Sequence, residues 1–182
     1  FAYDDAALFI AARMFDSAPD SILHQLSQRD RKLNADDFGV WFSTFNDGIN
    51  AVRFGTTPDG VQSDEQLSAG NNDESWDAVW DVACQIDSLG WTAEFRIPWM
   101  AFRFPENEEQ VWGINFYRGI RRLREENVWN PMDPNQETLN QGGLLTGIKG
   151  IDPPLRLSLF PYFSSYATAS DGESAGTYNG GM

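Results

Sequence analysis

The sequence predicts an all-β protein, an antiparallel β-sandwich of jelly-roll or immunoglobulin-like type, on three observations. In residues 90–99, Trp91, Ala93, Phe95, Ile97 and Trp99 alternate with Thr92, Glu94 and Arg96, and Val111-Trp112-Gly113-Ile114-Asn115-Phe116-Tyr117-Arg118 answers them. A period of two marks a strand with one buried and one wet face. Secondly, about seven segments of this kind follow one another with polar turns between them. Thirdly, helical periodicity is almost absent, and a chain of short strands and polar turns closes its core sheet on sheet.

The elements follow in order. Residues 3–15 contain Leu8-Phe9-Ile10-Ala11-Ala12, apolar on both faces as in a central strand, and Asp16-Ser17-Ala18-Pro19-Asp20 breaks it. Ile22, Leu23 and Leu26 at helical spacing predict a helix of one or two turns over 21–26. Residues 38–45 form the next strand, turn at Asn46-Asp47-Gly48, and return over 50–55. Residues 57–75, rich in Gly, Asn, Asp and Ser, read as a long loop. A strand over 77–87 directs Trp80, Val82, Cys84 and Ile86 to one side. The opening pair follows, joined through Pro98 and the polar turn Pro105-Glu106-Asn107-Glu108. A second long loop covers 124–141, then a Gly-punctuated strand covers 142–151.

The tail has its own pattern. Leu155, Leu157, Leu159, Pro161 and Phe163 alternate with Arg156, Ser158, Phe160, Tyr162 and Ser164, continuing through Tyr166-Ala167-Thr168 to a turn at Asp171-Gly172. Two readings fit: a last sandwich strand, or the first strand of a transmembrane β-barrel.

Composition narrows the function. The chain has 182 residues and 20.5 kDa, 41% hydrophobic and 14% aromatic, enough for one folded core. A formal charge of −14 opposes encounter with nucleic acid or anionic lipid headgroups. The single cysteine, Cys84, permits no internal disulfide and reads as a small core residue. No apolar run approaches the ~20 residues of a membrane helix. Starting at Phe1 and ending on Tyr178-Asn179-Gly180-Gly181-Met182, the chain reads as a piece of a longer protein.

Seven tryptophans invite a sugar-binding reading, because a pyranose stacks its C–H face on an indole and offers hydroxyls to polar side chains. Trp129, in the polar run Glu125-Glu126-Asn127-Val128-Trp129-Asn130-Pro131, has no core periodicity and is the leading candidate; otherwise it anchors the loop. Trp76, after the first long loop, is the second. Trp80, Trp91, Trp99 and Trp112 run in phase with aliphatic residues and read as core, while the facing of Trp41 stays open. Arg118, Arg121 and Arg122, with Asn115 and Glu125, would select hydroxyl or carboxylate geometry; otherwise the arginines pair with Glu94, Glu125 or Glu126. Oxygen-rich pairs around Asp16 with Asp20, Asp36 with Asp37, and Asn46 with Asp47 are candidates for a structural calcium, or else turn formers. No cofactor is required by any motif. His24 has no Ser or Cys motif around it, which argues against a nucleophilic triad, and no Cys-x-x-Cys-His exists for haem. Glu94 and Glu125 as a glycosidase pair have only their residue type in favour.

Several motifs then converge. Tyr3-Asp4-Asp5-Ala6-Ala7-Leu8-Phe9-Ile10, Arg29-Asp30, Asp36-Asp37-Phe38, Thr44-Phe45-Asn46-Asp47-Gly48 and Ser75-Trp76-Asp77-Ala78-Val79-Trp80 carry a resemblance. It continues in Gly90-Trp91-Thr92-Ala93-Glu94-Phe95-Arg96-Ile97-Pro98, Phe102-Arg103-Phe104-Pro105, Trp112-Gly113-Ile114-Asn115, Arg121-Arg122 and Glu125-Glu126. Taken together the chain resembles the family-9 carbohydrate-binding-module-like domain found at the N-terminus of bacterial outer-membrane proteins that continue into an uncharacterised β-barrel domain. Pro153-Pro154-Leu155-Arg156-Leu157 with Pro161-Tyr162 resembles the point where that barrel begins.

The resemblance implies a sandwich over 1–152, incomplete at its N-terminus, and the first barrel strands over 153–182. It implies a non-catalytic domain for an oligosaccharide or polysaccharide, in the periplasm or on the cell surface, tied to the bacterial outer membrane through its own C-terminal barrel. Ser43 stands where the family commonly has an acidic residue, and some relatives bind haem, so the fold alone does not name the ligand. The alternative is a periplasmic plug or scaffold of the barrel with no sugar ligand.

Overall fold

The computed structural model describes residues 1–31, 34–68, 71–133, 135–154, 161–170 and 173–181. Thirteen strands run in chain order: β1 (Ala2–Tyr3), β2 (Ala7–Phe15), β3 (Asp37–Ser43), β4 (Asn50–Thr56), β5 (Gln62–Ser68), β6 (Asn71–Asp73) and β7 (Asp81–Asp87). After them come β8 (Gly90–Pro98), β9 (Glu109–Ile120), β10 (Glu125–Val128), β11 (Gly143–Lys149), β12 (Tyr162–Ser170) and β13 (Glu173–Gly181). The protein is all-β and every pairing is antiparallel. One sheet has the order β1-β2-β8-β7; the other runs β10-β9-β3-β4-β5-β6, with β11 also on β9. Among the described residues, strands β12 and β13 pair with each other as a two-stranded sheet. Among the described residues no helix is long and apolar enough to cross a membrane, a fact that does not bear on β-barrels.

The core lies between the two main sheets because each strand's buried phase points inward. Leu8, Ile10, Trp91, Phe95 and Ile97 come from one sheet, and Phe38, Val40, Phe42, Phe54 and Ile114 from the other. Aromatic contacts bridge the layers: Phe38 meets Phe95 at 6.0 Å, and Trp80 stacks on Phe95 at 5.5 Å with 3° between the rings. Trp80, Trp91, Trp99 and Trp112 are all buried, and Phe102 joins Trp112 at 5.1 Å. Edge-to-face and offset contacts of this kind add to plain area burial.

Four expectations change. Strand β2 is not apolar-buried on both faces: Ala11, Arg13 and Phe15 face solvent because nothing covers the outer side of its sheet among the described residues. The helix expected over 21–26 is absent. Only the 3-10 turn Pro19–Ser21 forms; Ile22 enters the core, the Leu23 carbonyl accepts the Asp36 N–H at 2.7 Å, and Leu26 is exposed.

The long loop over 57–75 contains β5 and β6. Strand β5 escapes a hydrophobic pattern because its buried residues, Asp64 and Glu65, are held by Arg29 and Arg53 rather than by apolar neighbours. The second long loop likewise contains β10, a wholly exposed edge strand on β9. In the tail, 155–160 and the turn at 171–172 lie outside the described residues.

Candidate functional site

The β3–β4 hairpin builds a cleft at one end of the sandwich. Asn46 and Gly48 take positive φ (49° and 67°), and the Asp47 carboxylate accepts the N–H groups of Ile49 and Asn50 at 2.9 and 3.1 Å. That tight turn projects Phe45 beyond the core, 51% exposed. The Thr44 hydroxyl donates to the Arg103 carbonyl, tying the hairpin to the segment after the 3-10 turn Trp99–Ala101. Trp76, half-buried, sets its edge against Phe54 at 6.1 Å and also lines the cleft.

The cleft is a cavity of about 310 Å³, lined also by Ala51, Val52 and Ala101, with Thr44, Asn50, Gln66 and Arg103 as its polar groups. A smaller groove of about 150 Å³ adjoins it, lined by Phe45, Phe102, Arg103, Phe104, Pro153 and Pro154. Phe45 and Arg103 line both. Among the described residues no carboxylate lines either.

Trp129 sits elsewhere, beside the edge of β9. Its backbone N–H donates to the Phe116 carbonyl at 3.0 Å, its ring meets Phe116 at 5.5 Å, and it is 58% exposed. A Cβ on Gly143 would lie 2.5 Å from its Cζ3, so the indole rests on that glycine. Phe1, also exposed, packs on the same Phe116. Trp76 and Trp129 are therefore two separate aromatic places. Trp41, whose facing was open, points away from the core and is buried under the loop at Gly142.

Asn115 corrects the expectation of a ligand contact. It is fully buried, its Oδ1 accepting the N–H groups of Phe116 and Asn130 at 2.9 Å and its Nδ2 donating to the Asn130 carbonyl at 3.1 Å. Every polar atom is spent on fixing the loop. Arg118 and Arg122 are likewise committed, to Asp16 and not to the glutamates expected. Arg122 holds both Asp16 oxygens at 2.6 and 2.7 Å, and Arg118 donates to the Phe15 carbonyl at 2.7 Å. Arg121 bonds Asn34 at 2.7 Å, and Glu125 stands exposed on β10.

The calcium expectation at Asp16 with Asp20 is also corrected. The Asp16 side chain is 1% exposed and the Arg122 hydrogen bonds hold its carboxyl below the usual range, so its charge is already neutralised, while Asp20 is exposed. Asp47 serves the hairpin turn. Asp36 accepts the Arg121 N–H at 2.9 Å. One acidic group that the sequence did not single out, Asp30, Asp64 and Asp77, brings carboxylate oxygens within 4.8 Å of one another. Arg29 stands among them, 2.5 Å from Asp64 and 3.4 Å from each of the others, where a metal would have to be.

Glu94 and Glu125 lie on different sheets. His24 pairs with Asp59 at 3.1 Å. The cleft residues missed in sequence are Phe45, Asn50, Gln66 and Arg103. One signal was available: Phe45 directly precedes the strongest turn in the chain, where an aromatic residue is placed past the end of its strand. No protein-family model matches this chain, and no curated protein matches it significantly.

Proposed function

We propose that this domain is a non-catalytic carbohydrate-binding module that holds an oligosaccharide or a polysaccharide end in the hairpin cleft. The observation that carries the reading is the cleft's makeup: the rings of Trp76 and Phe45, the amides of Asn50 and Gln66 and the guanidinium of Arg103 line one cavity of about 310 Å³. Small-ligand sites begin near this size and combine apolar walls with a few placed polar groups. The aromatic faces stack on sugar C–H surfaces, and the amides distinguish hydroxyl geometry. The parent protein, on the resemblance given above, is anchored in a bacterial outer membrane by a barrel after residue 152, with this domain periplasmic or at the cell surface.

The test is a tryptophan-fluorescence titration of the whole chain with neutral and acidic oligosaccharides, beside Trp76→Ala and Trp129→Ala. Saturable binding abolished by Trp76→Ala and kept by Trp129→Ala is the expected result; no binding by folded protein across the panel removes the proposal. The second reading, a scaffold packed on its own barrel, draws on the exposed pair Phe1 and Trp129 over Phe116, an apolar patch suited to a protein neighbour. Binding lost only in Trp129→Ala would instead put the sugar on that patch.

A further inference from the structure

We infer that the saccharide taken by the hairpin cleft is acidic, a uronate-bearing glycan whose carboxylate is held by Arg103; this rests on the binding-module reading above. The chain carries 27 acidic residues against 13 Lys and Arg, so carboxylates are abundant as partners for its basic side chains. Arg13, Arg29, Arg53, Arg96, Arg118, Arg122 and Lys149 each stand within ion-pair distance of a carboxylate. Among the described residues Arg31, Arg103, Arg121 and Arg124 do not, and of these Arg103 lines both the cleft and the groove beside it.

Arg103 is placed for an incoming anion. It is exposed at the boundary of both cavities, between the aromatic wall of Phe45 and the Pro153-Pro154 lip, and its backbone is pinned by the Thr44 hydroxyl on its carbonyl. Among the described residues no acidic side chain lines the cleft or the groove. Asp47, in the hairpin turn, is occupied by the Ile49 and Asn50 N–H groups and by the Asn50 amide at 3.3 Å, and Glu65, next to Gln66 in sequence, pairs with Arg53 at 2.7 Å.

A guanidinium fork matches a planar carboxylate in two parallel hydrogen bonds, and does so better than it matches a single hydroxyl. A uronate presents that carboxylate at the rim of a ring whose C–H face remains apolar. Ring and carboxylate can thus be read together, the ring against Trp76 and Phe45 and the carboxylate at Arg103. The chain's own −14 charge opposes any anion at long range, so the contact must be a short, local one.

The experiment compares trigalacturonate with its methyl ester, one skeleton with and without charge, by calorimetry on the whole chain, its Arg103→Gln, Arg103→Lys and Trp76→Ala variants, with circular dichroism to establish folding. Trigalacturonate is expected to bind about tenfold tighter than the ester, the scale of one charge-assisted hydrogen-bond pair. Arg103→Gln is expected to erase that preference while leaving ester binding, Arg103→Lys to restore part of it, and Trp76→Ala to abolish both. Equal affinity for acid and ester, or a preference retained in Arg103→Gln, overturns the inference and leaves the module reading standing. Failure of both compounds to bind the folded wild-type chain overturns the inference, and failure of the neutral oligosaccharides as well overturns the module reading.

Discussion

Asn115 and Asn130 clasp each other through paired hydrogen bonds, Asn130 N–H to Asn115 Oδ1 at 2.9 Å and Asn115 Nδ2 to the Asn130 carbonyl at 3.1 Å. The side chain thereby extends the contact with β9 past Trp129, whose backbone N–H still bonds the Phe116 carbonyl, and holds the loop over Trp41. Asn115→Ala leaves buried backbone groups on Asn130 and Phe116 without partners. It is expected to cost about 2–3 kcal/mol of stability and to expose the loop to limited proteolysis near Gln136. An unchanged urea midpoint together with an unchanged cleavage pattern would refute this role.

Asp16 and Arg122 join the connection after β2 to the turn after β9, at 2.6 Å, with the carboxylate side chain 1% exposed. Asp16→Asn strips the charge from beneath two arginines and is expected to cost about 2–4 kcal/mol. Because the Arg122 hydrogen bonds lower the folded pKa of Asp16, its stabilisation is present above the unfolded pKa and is lost as pH falls through the folded one. The mutational penalty should therefore shrink in acid; a penalty that is constant from neutral to strongly acidic pH contradicts the pairing.

Asp37 behaves with the opposite sign. Its carboxyl lies over Gly119, with Glu126 in register on the far side of that glycine, and Asp36, Arg53, Arg121 and Tyr117 acting on it as well. Burial, then the Glu126 charge, pushes its pKa up to about 6. A group raised in the folded state gives its stabilisation fully below the unfolded pKa and loses it as pH rises through the folded one. Asp37→Asn, which imitates the protonated form, is expected to be more stable than wild type at pH 8 by about 1–2 kcal/mol and nearly equal to it at pH 4. Denaturant titrations at the two pH values decide the matter; a deficit at pH 8 would show that the ionised carboxylate is needed.

Much of the fold was legible because it obeys a short-range rule. Trp91, Ala93, Phe95 and Ile97 alternate strictly, and their strand β8 lies between β2 and β7 with one face on the core. The Asn46-Asp47-Gly48 turn was legible for the same kind of reason, since its backbone demands those residue types. Strand β5 was not. Asp64 is buried in it because Arg29, thirty-five positions away, donates to it, and no local window contains that fact. Ile22, Leu23 and Leu26 misled in the reverse direction: their helical spacing is real, but Ile22 is drawn into the core while Leu26 remains in water.

The site divides along the same line. Trp76 and Trp129 stood out as candidates by lying outside any core phase, yet nothing local told that one lines a cavity and the other covers Gly143. Asn115, Arg118 and Asp16 have the right chemistry for ligands, and their partners inside the fold consume it.

By itself the sequence determined the all-β class, the sandwich's buried tryptophans and the hairpin at Asp47, because alternation and turn chemistry act between neighbours along the chain. Only the tertiary structure decided which polar groups remain available. Phe45, Asn50, Gln66, Trp76 and Arg103 come from separate parts of the chain and meet at one cleft, and what each polar group there can offer a ligand depends on the partners the fold gives it.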